Sequence, residues 1–216
     1  MNVQKEMLLL YGVTDRAWVG KQSFYEQIEA AINGGVTMIQ LREKTMSREK
    51  FLEEAKEIRK LCHAKHVPLI INDDVEIALA SGADGVHVGI SDMPVAQIRK
   101  KVGSQFMIGA TAKTIEQARV AQEAGADYLG VGAVFSSPTK TEALRITKKQ
   151  LREITQSVSI PVVAIGGINK NNMHELKNTG IAGIALVSEI FSATDIETNA
   201  RERKQQILQI LGARDI

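Results

Sequence analysis

The stretch Gly82-Ala83-Asp84-Gly85-Val86-His87-Val88-Gly89 decides the fold, because its pattern recurs along the chain. A second copy, Gly125-Ala126-Asp127-Tyr128-Leu129-Gly130-Val131-Gly132, keeps the same order of glycine, acid and apolar run. Looser copies begin at Gly34 and at Gly180. In each copy a glycine suited to ending a helix is followed by a short turn and an apolar run. The recurring unit therefore predicts a helix that leads into a strand.

Further apolar runs lie between these copies and before the first one. They cover residues 8–13, 68–71, 107–110 and 161–165. With the four copies they make eight short strand candidates, each followed by a segment with helical character. Alternating strands and helices along a whole chain predict parallel strands joined by right-handed crossovers. Eight such units in 216 residues predict an α/β fold, a single-domain (β/α)8 (TIM) barrel over residues 1–216.

A doubly wound open sheet is the competing architecture for this alternation of elements. It is disfavoured because the first strand is followed by Tyr11-Gly12-Val13-Thr14-Asp15-Arg16 and not by a G-x-G-x-x-G turn. Polar clusters also follow several different strands, as expected for a ring of loops on one face of a barrel.

The segments between the strands carry the start signals of helices. Ser47 and Asp74 are candidate N-terminal caps, and Thr114-Ile115-Glu116-Gln117 resembles a capping box. Apolar residues then recur at helical spacing. The predicted helices cover residues 24–32, 47–63, 169–177 and 194–211, and another begins near residue 114.

Composition excludes several classes of protein. Apolar residues make up 44% and charged residues 24% of the chain, and the net charge is only +2. We therefore expect no nucleic-acid partner and no membrane partner. No apolar run approaches the roughly 20 residues that a membrane-spanning helix needs, and the N-terminus carries no secretion signal. Cys62 is the only cysteine, which excludes an internal disulfide and fits a reducing cytoplasm.

Clusters of polar residues follow four of the predicted strands. In a (β/α)8 barrel these loops open on the carboxyl-end face, so residues far apart in sequence can converge there. The clusters are Gln40-Leu41-Arg42-Glu43-Lys44, Asn72-Asp73-Asp74, Ser91-Asp92, and Ser136-Ser137-Pro138-Thr139-Lys140.

Two acids and three bases in these clusters predict a Mg²⁺–pyrophosphate site. Asp73 and Asp92 could hold Mg²⁺, which takes one or two carboxylates and completes its shell with water and phosphate. Arg42, Lys44 and Lys140 could bind the remaining phosphate charge. Taken alone, either acid could equally be a helix cap, and a single base could be a solvated charge. Their joint placement at strand ends favours the binding site.

The seventh and eighth strands lead into a second signal. The glycines of Ala164-Ile165-Gly166-Gly167-Ile168 would let the backbone approach a ligand closely, and Val187-Ser188 begins a short helix. Loops after these two strands, with a helix N-terminus, commonly bind phosphate in such barrels. A tight strand-to-helix turn is the alternative explanation for the glycine pair. His87 could point into the barrel, where a buried, hydrogen-bonded histidine is the simpler interpretation.

Taken together, these motifs resemble the thiamine-phosphate synthase family. The match extends from Tyr11 to Ser188, and the order and spacing of five motifs make it more specific than any one of them. The resemblance implies a (β/α)8 barrel enzyme that uses Mg²⁺. Such an enzyme joins hydroxymethylpyrimidine diphosphate to thiazole phosphate, or to its carboxylated form, and releases pyrophosphate.

The resemblance also implies a role for each matching residue. Those implied to bind the pyrimidine diphosphate are Gln40, Leu41, Arg42, Glu43, Lys44 and Asn72, with Arg42 and Lys44 on its phosphates. Those implied to hold the thiazole phosphate are Ser137, Pro138, Thr139, Gly167, Val187 and Ser188. Asp73 and Asp92 would ligate Mg²⁺, and Lys140 would contact the pyrophosphate. Thr111 stands where the family usually has a serine near the pyrimidine, so the hydroxyl is kept. We expect Arg42, Lys44, Thr111 and Lys140 to act in catalysis.

Some positions depart from the family pattern. Ile90 replaces a common glutamine, and residues 141–146 lack the usual lysine–aspartate start. Two alternatives stay open. One is a thiazole tautomerase, which needs no diphosphate site and against which Asp73, Asp92 and Lys140 argue. The other is a non-catalytic phosphate-binding barrel, whose only support is the altered loop after Lys140. A homodimer is a further expectation, although no apolar stripe in the sequence identifies an interface.

Overall fold

The computed structural model describes residues 3–20, 22–136 and 145–212. Eight parallel strands pair in sequence order and close between the first and the last, which confirms the (β/α)8 barrel and excludes the open sheet. The strands are β1 Leu10–Val13, β2 Met38–Leu41, β3 Leu69–Asn72, β4 Gly85–Val88, β5 Met107–Ala112, β6 Tyr128–Val131, β7 Val162–Ile165 and β8 Gly183–Leu186.

Helices follow most of these strands and cover the outside of the barrel. The α-helices are α1 Phe24–Asn33, α2 Arg48–Ala64, α3 Val75–Ser81, α4 Val95–Val102, α5 Ile115–Glu123, α6 Lys148–Ser157, α7 Ser188–Phe191 and α8 Ile196–Leu211. Short 3₁₀ helices occupy Lys5–Leu8, Arg16–Trp18 and Met173–Leu176. No helix in residues 3–20, 22–136 or 145–212 is long and apolar enough to cross a membrane.

The predicted helix over residues 169–177 is wrong. Only the 3₁₀ turn Met173–Leu176 forms there. Asn169 and Asn172 explain the difference, because their side chains bond to nearby backbone and compete with a helix. The amide of Asn169 donates to Oδ1 of Asn172 at 2.8 Å, and Nδ2 of Asn172 donates to the carbonyl of Gly167 at 2.9 Å.

The predicted helix caps are confirmed, with one change. Ser47 accepts from the amide of Lys50, and Asp74 accepts from the amide of Ile77. Thr114 also caps its helix by accepting from the amide of Gln117. The reciprocal bond of a capping box is missing, however, because Oε1 of Gln117 accepts from the amide of Lys113 instead.

Side chains of each strand alternate between two cores, as the pleat requires. The larger core lies between the barrel and the helices, and Leu41 and Cys62 belong to it. Burial raises the pKa of the Cys62 thiol to about 12, so this cysteine is unreactive, as expected. The smaller core fills the barrel itself, with Leu8, Tyr11, Val13, Met38, Ile70, Met107, Tyr128, Val163 and Ala185.

Candidate active site

The loop after β2 is shaped by Glu43. One carboxylate oxygen accepts from the amides of Lys44 and Thr45, at 2.8 and 2.9 Å. The other forms an ion pair with Arg16, which also pairs with Glu54. Burial would raise the pKa of Glu43, but the hydrogen bonds from Thr45 and Arg16 outweigh it and lower that pKa to about 2. The side chain of Glu43 is only 5% exposed and both of its oxygens have partners, so its role in the structure is to shape the loop.

Arg42 and Lys44 flank this anchored glutamate, and the loop geometry places them at the mouth of the barrel. The amide of Arg42 donates to the hydroxyl of buried Thr14 at 3.0 Å, which ties the loop to the end of β1. No hydrogen bond or ion pair joins the guanidinium of Arg42 to another residue in the described part of the chain. A ligand at the mouth can therefore use its donors without breaking a bond to any residue that the structure describes.

Asp73 joins two of the predicted clusters directly. It follows β3 and accepts a bond of 2.5 Å from Nζ of Lys44. Its amide donates to the carbonyl of His87 at 2.8 Å, and its φ of 64° lies in the left-handed region that non-glycine residues seldom adopt. Such backbone strain concentrates at functional sites.

Asp92 completes the group, because its carboxylate lies close enough to that of Asp73 for each to change the pKa of the other. Its Oδ2 also accepts from the amide of Gly89 at 2.7 Å. Burial would raise the pKa of Asp73, but the hydrogen bond from Lys44 holds that pKa below its usual range. For Asp92, burial raises the pKa and the neighbouring carboxylate adds to the rise. Two carboxylates this close can both ionise only with positive charge beside them.

This carboxylate pair fits Mg²⁺ by its chemistry. Hard oxygen donors from two side chains leave the remaining octahedral positions for water and a ligand's phosphate oxygens. Across the residues that the structure describes, no group of three or more histidine, cysteine, aspartate or glutamate side chains could hold a metal. A protein-only cage is thus missing from that part of the chain, and a shell shared with phosphate is the arrangement that the pair supports.

Three residues predicted to bind the pyrimidine diphosphate sit within strands and not after them. Gln40 and Leu41 belong to β2, which runs further than its sequence indicated. Gln40 points into the barrel and is buried, whereas the side chain of Leu41 packs toward the helices, so only its backbone could contact a ligand. Asn72 ends β3, directly before Asp73, and its side chain contributes to the lowered pKa of that acid.

Beneath the mouth, a chain of hydrogen bonds crosses the barrel interior. Nε2 of Gln40 lies 2.9 Å from the hydroxyl of Tyr11, which lies 2.8 Å from that of Tyr128. Tyr128 contacts Nδ1 of His87 at 3.3 Å, and Nε2 of His87 contacts the Thr111 hydroxyl at 3.1 Å. The predicted hydrogen bonding of His87 inside the barrel is confirmed, although its side chain is half-buried and not fully buried. The two tyrosines were missed by the sequence reasoning, although their alternation with apolar neighbours places both inside the barrel.

Gly167 lies close to the chain's own backbone. A Cβ on Gly167 would stand 2.3 Å from the carbonyl oxygen of Ser136 and 2.5 Å from that of Phe135. Its φ of +66° also favours glycine. The tight-turn explanation therefore holds, and it leaves phosphate binding at the same turn untested. Val187 precedes the short helix α7, which begins at Ser188 as expected.

Part of the predicted site falls outside the described residues. Ser137, Pro138, Thr139 and Lys140 belong to this part, as do the atypical residues 141–144. Ser136 is described and leads directly into that segment from the end of β6. The part of the mouth that the structure describes is therefore built by the loops after β1 to β5, β7 and β8.

Comparison with known proteins supports the resemblance. Residues 10–190 match the family described as thiamine monophosphate synthase. A thiamine-phosphate synthase of Ruminiclostridium cellulolyticum is 50% identical over 193 residues, covering 89% of this chain and 92% of the relative. Thiamine-phosphate synthase 2 of Streptococcus pneumoniae is 41% identical and covers 97% of this chain and 100% of its own length. The solved thiamine phosphate pyrophosphorylase from Pyrococcus furiosus has a TM-score of 0.88 at 38% identity, covering 96% of this chain and 99% of that one.

Proposed function

The chain belongs to the thiamine monophosphate synthase family and acts in thiamine biosynthesis, and we propose that it joins hydroxymethylpyrimidine diphosphate to thiazole phosphate with the help of Mg²⁺. The products are thiamine monophosphate and pyrophosphate. One observation carries the proposal: Lys44, Asp73 and Asp92 meet at one mouth, where a metal-bound diphosphate needs both signs of charge.

The reaction needs no covalent nucleophile from the protein. The pyrimidine amino group pushes electrons toward the methylene carbon, the carbon–oxygen bond breaks, and diphosphate leaves with the electron pair. The nitrogen of the thiazole then donates its lone pair to the carbocation-like carbon and becomes the thiazolium nitrogen. The protein has two tasks, to neutralise the charge that builds on the leaving group and to align the two substrates.

The basic residues perform the first task. Arg42 offers a planar fork of donors to two phosphate oxygens, and Lys44 contributes a compact positive charge. Bound Mg²⁺ would supply further positive charge to the leaving group. Asp73 and Asp92 are the side chains that would hold it. Lys44 would then exchange its bond to Asp73 for one to phosphate, and Lys140 would add a further cation.

The polar residues perform the second task. Gln40, Asn72 and Thr111 would orient the pyrimidine from the barrel interior, where the ring can stack over apolar side chains. Gly167, Val187 and Ser188 would hold the phosphate of the thiazole, together with Ser137, Pro138 and Thr139. The thiazole would then lie beside the methylene carbon, on the side opposite the departing pyrophosphate.

The test measures pyrophosphate release when both substrates and Mg²⁺ are supplied. We expect release only when all three are present. Lys44→Ala, Asp92→Ala and Lys140→Ala should each lower turnover about a hundredfold or more while the fold survives. Lys60→Ala, an exposed lysine on α2, is the control and should change nothing.

Other outcomes would point to the alternatives. Tautomerisation of the thiazole phosphate without pyrophosphate release would identify a tautomerase. Tight binding of thiazole phosphate without turnover would identify a non-catalytic barrel. Near-normal coupling by the Asp92→Ala enzyme would contradict the proposed metal site.

We also propose a cytoplasmic location, supported by the single cysteine. A homodimer stays a prediction, and size-exclusion chromatography with light scattering checks it directly.

A further inference from the structure

We propose that the hydrogen-bond chain inside the barrel runs in one direction, from Gln40 to Thr111, and so presents the Thr111 hydroxyl as a donor to the bound pyrimidine. Tyr11, Tyr128 and His87 are then positioning residues for a group that contacts substrate. The identity of the ligand rests on the proposed function, whereas the direction of the chain rests on the geometry of the protein alone.

The direction follows from counting protons, beginning at Gln40. Its carboxamide nitrogen donates to the hydroxyl of Tyr11 at 2.9 Å, so Tyr11 is an acceptor there. The proton of Tyr11 has one other partner among the described residues, the hydroxyl of Tyr128 at 2.8 Å. Because buried polar groups are almost always hydrogen-bonded, Tyr11 donates that proton to Tyr128.

Tyr128 and His87 pass the same direction on to Thr111. Tyr128 accepts from Tyr11, so its own proton goes to Nδ1 of His87 at 3.3 Å. Nδ1 must then be unprotonated, and the neutral ring carries its proton on Nε2. Nε2 donates to the hydroxyl oxygen of Thr111 at 3.1 Å. The hydroxyl of Thr111 accepts from His87, and its own proton has no acceptor among the residues that the structure describes, so it can be donated to a ligand.

Every member of the chain is neutral. Tyr11 and Tyr128 are 1% and 0% exposed, and burial raises the pKa of both phenols. His87 is neutral by the count of protons, because an unprotonated Nδ1 leaves the ring with a single proton on Nε2. Neutral groups keep their protons in fixed positions, so all the hydrogen bonds of the chain can point the same way. In an exposed cluster the protons exchange freely, and no single direction is maintained.

The surrounding backbone leaves room for this arrangement at two glycines. A Cβ on Gly109 would stand 2.2 Å from Cζ of Tyr128 and 2.5 Å from Nδ1 of His87. A Cβ on Gly130 would stand 2.9 Å from Cε1 of His87. Any larger residue at these two positions would displace the rings, so the sequence here is adapted to hold them.

The opposite direction is the arrangement that the proposal excludes. If the carboxamide of Gln40 were turned over, Tyr11 would donate to it and each later bond would reverse. His87 would then carry its proton on Nδ1, and the proton of Thr111 would point at Nε2. Thr111 would offer a ligand only its lone pairs. The tautomer of His87 therefore distinguishes the two directions.

The experiment is ¹⁵N NMR of the full chain with labelled histidine rings, with and without Mg²⁺ and the pyrimidine diphosphate. The chain has four histidines, and His63, His66 and His174 are exposed. The His87→Gln spectrum assigns the remaining signal. We expect unprotonated Nδ1 and protonated Nε2 in His87. Protonated Nδ1 with unprotonated Nε2 would overturn the proposal, whatever the enzyme's activity.

Kinetics then tests whether the direction matters to the substrate. Tyr128→Phe removes only the hydroxyl, and we expect it to lower kcat/KM for the pyrimidine diphosphate about tenfold, as loss of one oriented hydrogen bond would. Thr111→Val should do the same, whereas Thr111→Ser should retain most of the activity. The combination of Tyr128→Phe with Thr111→Val should be no worse than Thr111→Val alone.

Tyr25→Phe is the matched control, because Tyr25 is the remaining tyrosine and lies in α1 outside this chain of bonds. We expect it to leave both kinetics and the His87 signal unchanged. Additive losses in the double variant would show that Tyr128 does not act through Thr111 and would overturn the positioning role. A wild-type chain that forms no thiamine monophosphate would contradict the proposed function alone, since the NMR result would still stand.

Discussion

Polar side chains at the mouth of the barrel differ in charge and exposure from those in the layer directly beneath it. At the mouth, Lys44 and Asp73 are charged, and their side chains are 52% and 31% exposed. In the layer beneath, Tyr11 and Tyr128 are fully enclosed and their pKa values are raised, so they stay neutral.

This difference matches two different tasks. Charge at the mouth can be exchanged, because a phosphate or a cation can replace one partner of an existing ion pair. Neutral hydrogen bonds in the interior cannot be exchanged without exposing a buried polar atom, so they maintain one geometry. The mouth is therefore suited to binding and releasing charged groups, and the interior to orienting an uncharged ring.

The largest effect is expected from removing charge at the mouth. Asp92→Asn keeps the shape of the side chain but removes the negative charge that would hold a cation. We expect pyrophosphate release to fall about a hundredfold or more. Thermal unfolding without metal should be unchanged or slightly shifted upward, because one of two close carboxylates is gone. A large loss of stability would assign Asp92 a structural role.

A smaller effect is expected from crowding the interior. Gly109→Ala would place a methyl group against Tyr128 and His87. Such overpacking should lower the free energy of unfolding by about 3 kcal/mol, measured by denaturant titration. Gly20→Ala is the control, since a Cβ there meets nothing closer than 4.0 Å. Equal stability of the two variants would show that the side chains of the interior layer can shift to accommodate a methyl group.

Glu43 holds the loop at the mouth, and its effect on stability should depend on pH. Its folded pKa, about 2, lies below the ordinary 4.5, so its stabilisation is present above pH 4.5 and is lost as the pH falls toward 2. Glu43→Gln should cost about 2 kcal/mol of unfolding free energy at pH 7. The difference from wild type should disappear near pH 2. Glu53→Gln, at an exposed position on α2, is the control and should leave the free energy of unfolding at pH 7 unchanged.

The smallest effect is expected at Asp74, next to Asp73 in sequence but different in role. Asp74 caps α3 by accepting from the amide of Ile77 at 2.9 Å. Asp74→Ala should cost about 1 kcal/mol of stability and leave turnover unchanged, whereas Asp74→Ser should retain the cap. A loss of activity comparable with that of Asp73→Asn would show that both acids serve the site.

The sequence predicted which residues lie together at the mouth better than it predicted the contacts in the interior. Asp73 and Asp92 could be placed together because the ends of parallel strands share one face of a barrel, whatever the register. The contact between Tyr11 and Tyr128 depends on how strands far apart in sequence face each other across the barrel, and periodicity does not contain that information. The ion pair of Glu43 could not be predicted for a similar reason, since its partner Arg16 comes from the loop after another strand.

The most direct test of the account is pyrophosphate release by the wild-type chain during a Mg²⁺ titration, with both substrates present. We predict no release in EDTA, a saturable rise with Mg²⁺, and the loss of that rise in Asp92→Asn. Undiminished release in EDTA, or release that does not need thiazole phosphate, would contradict the account.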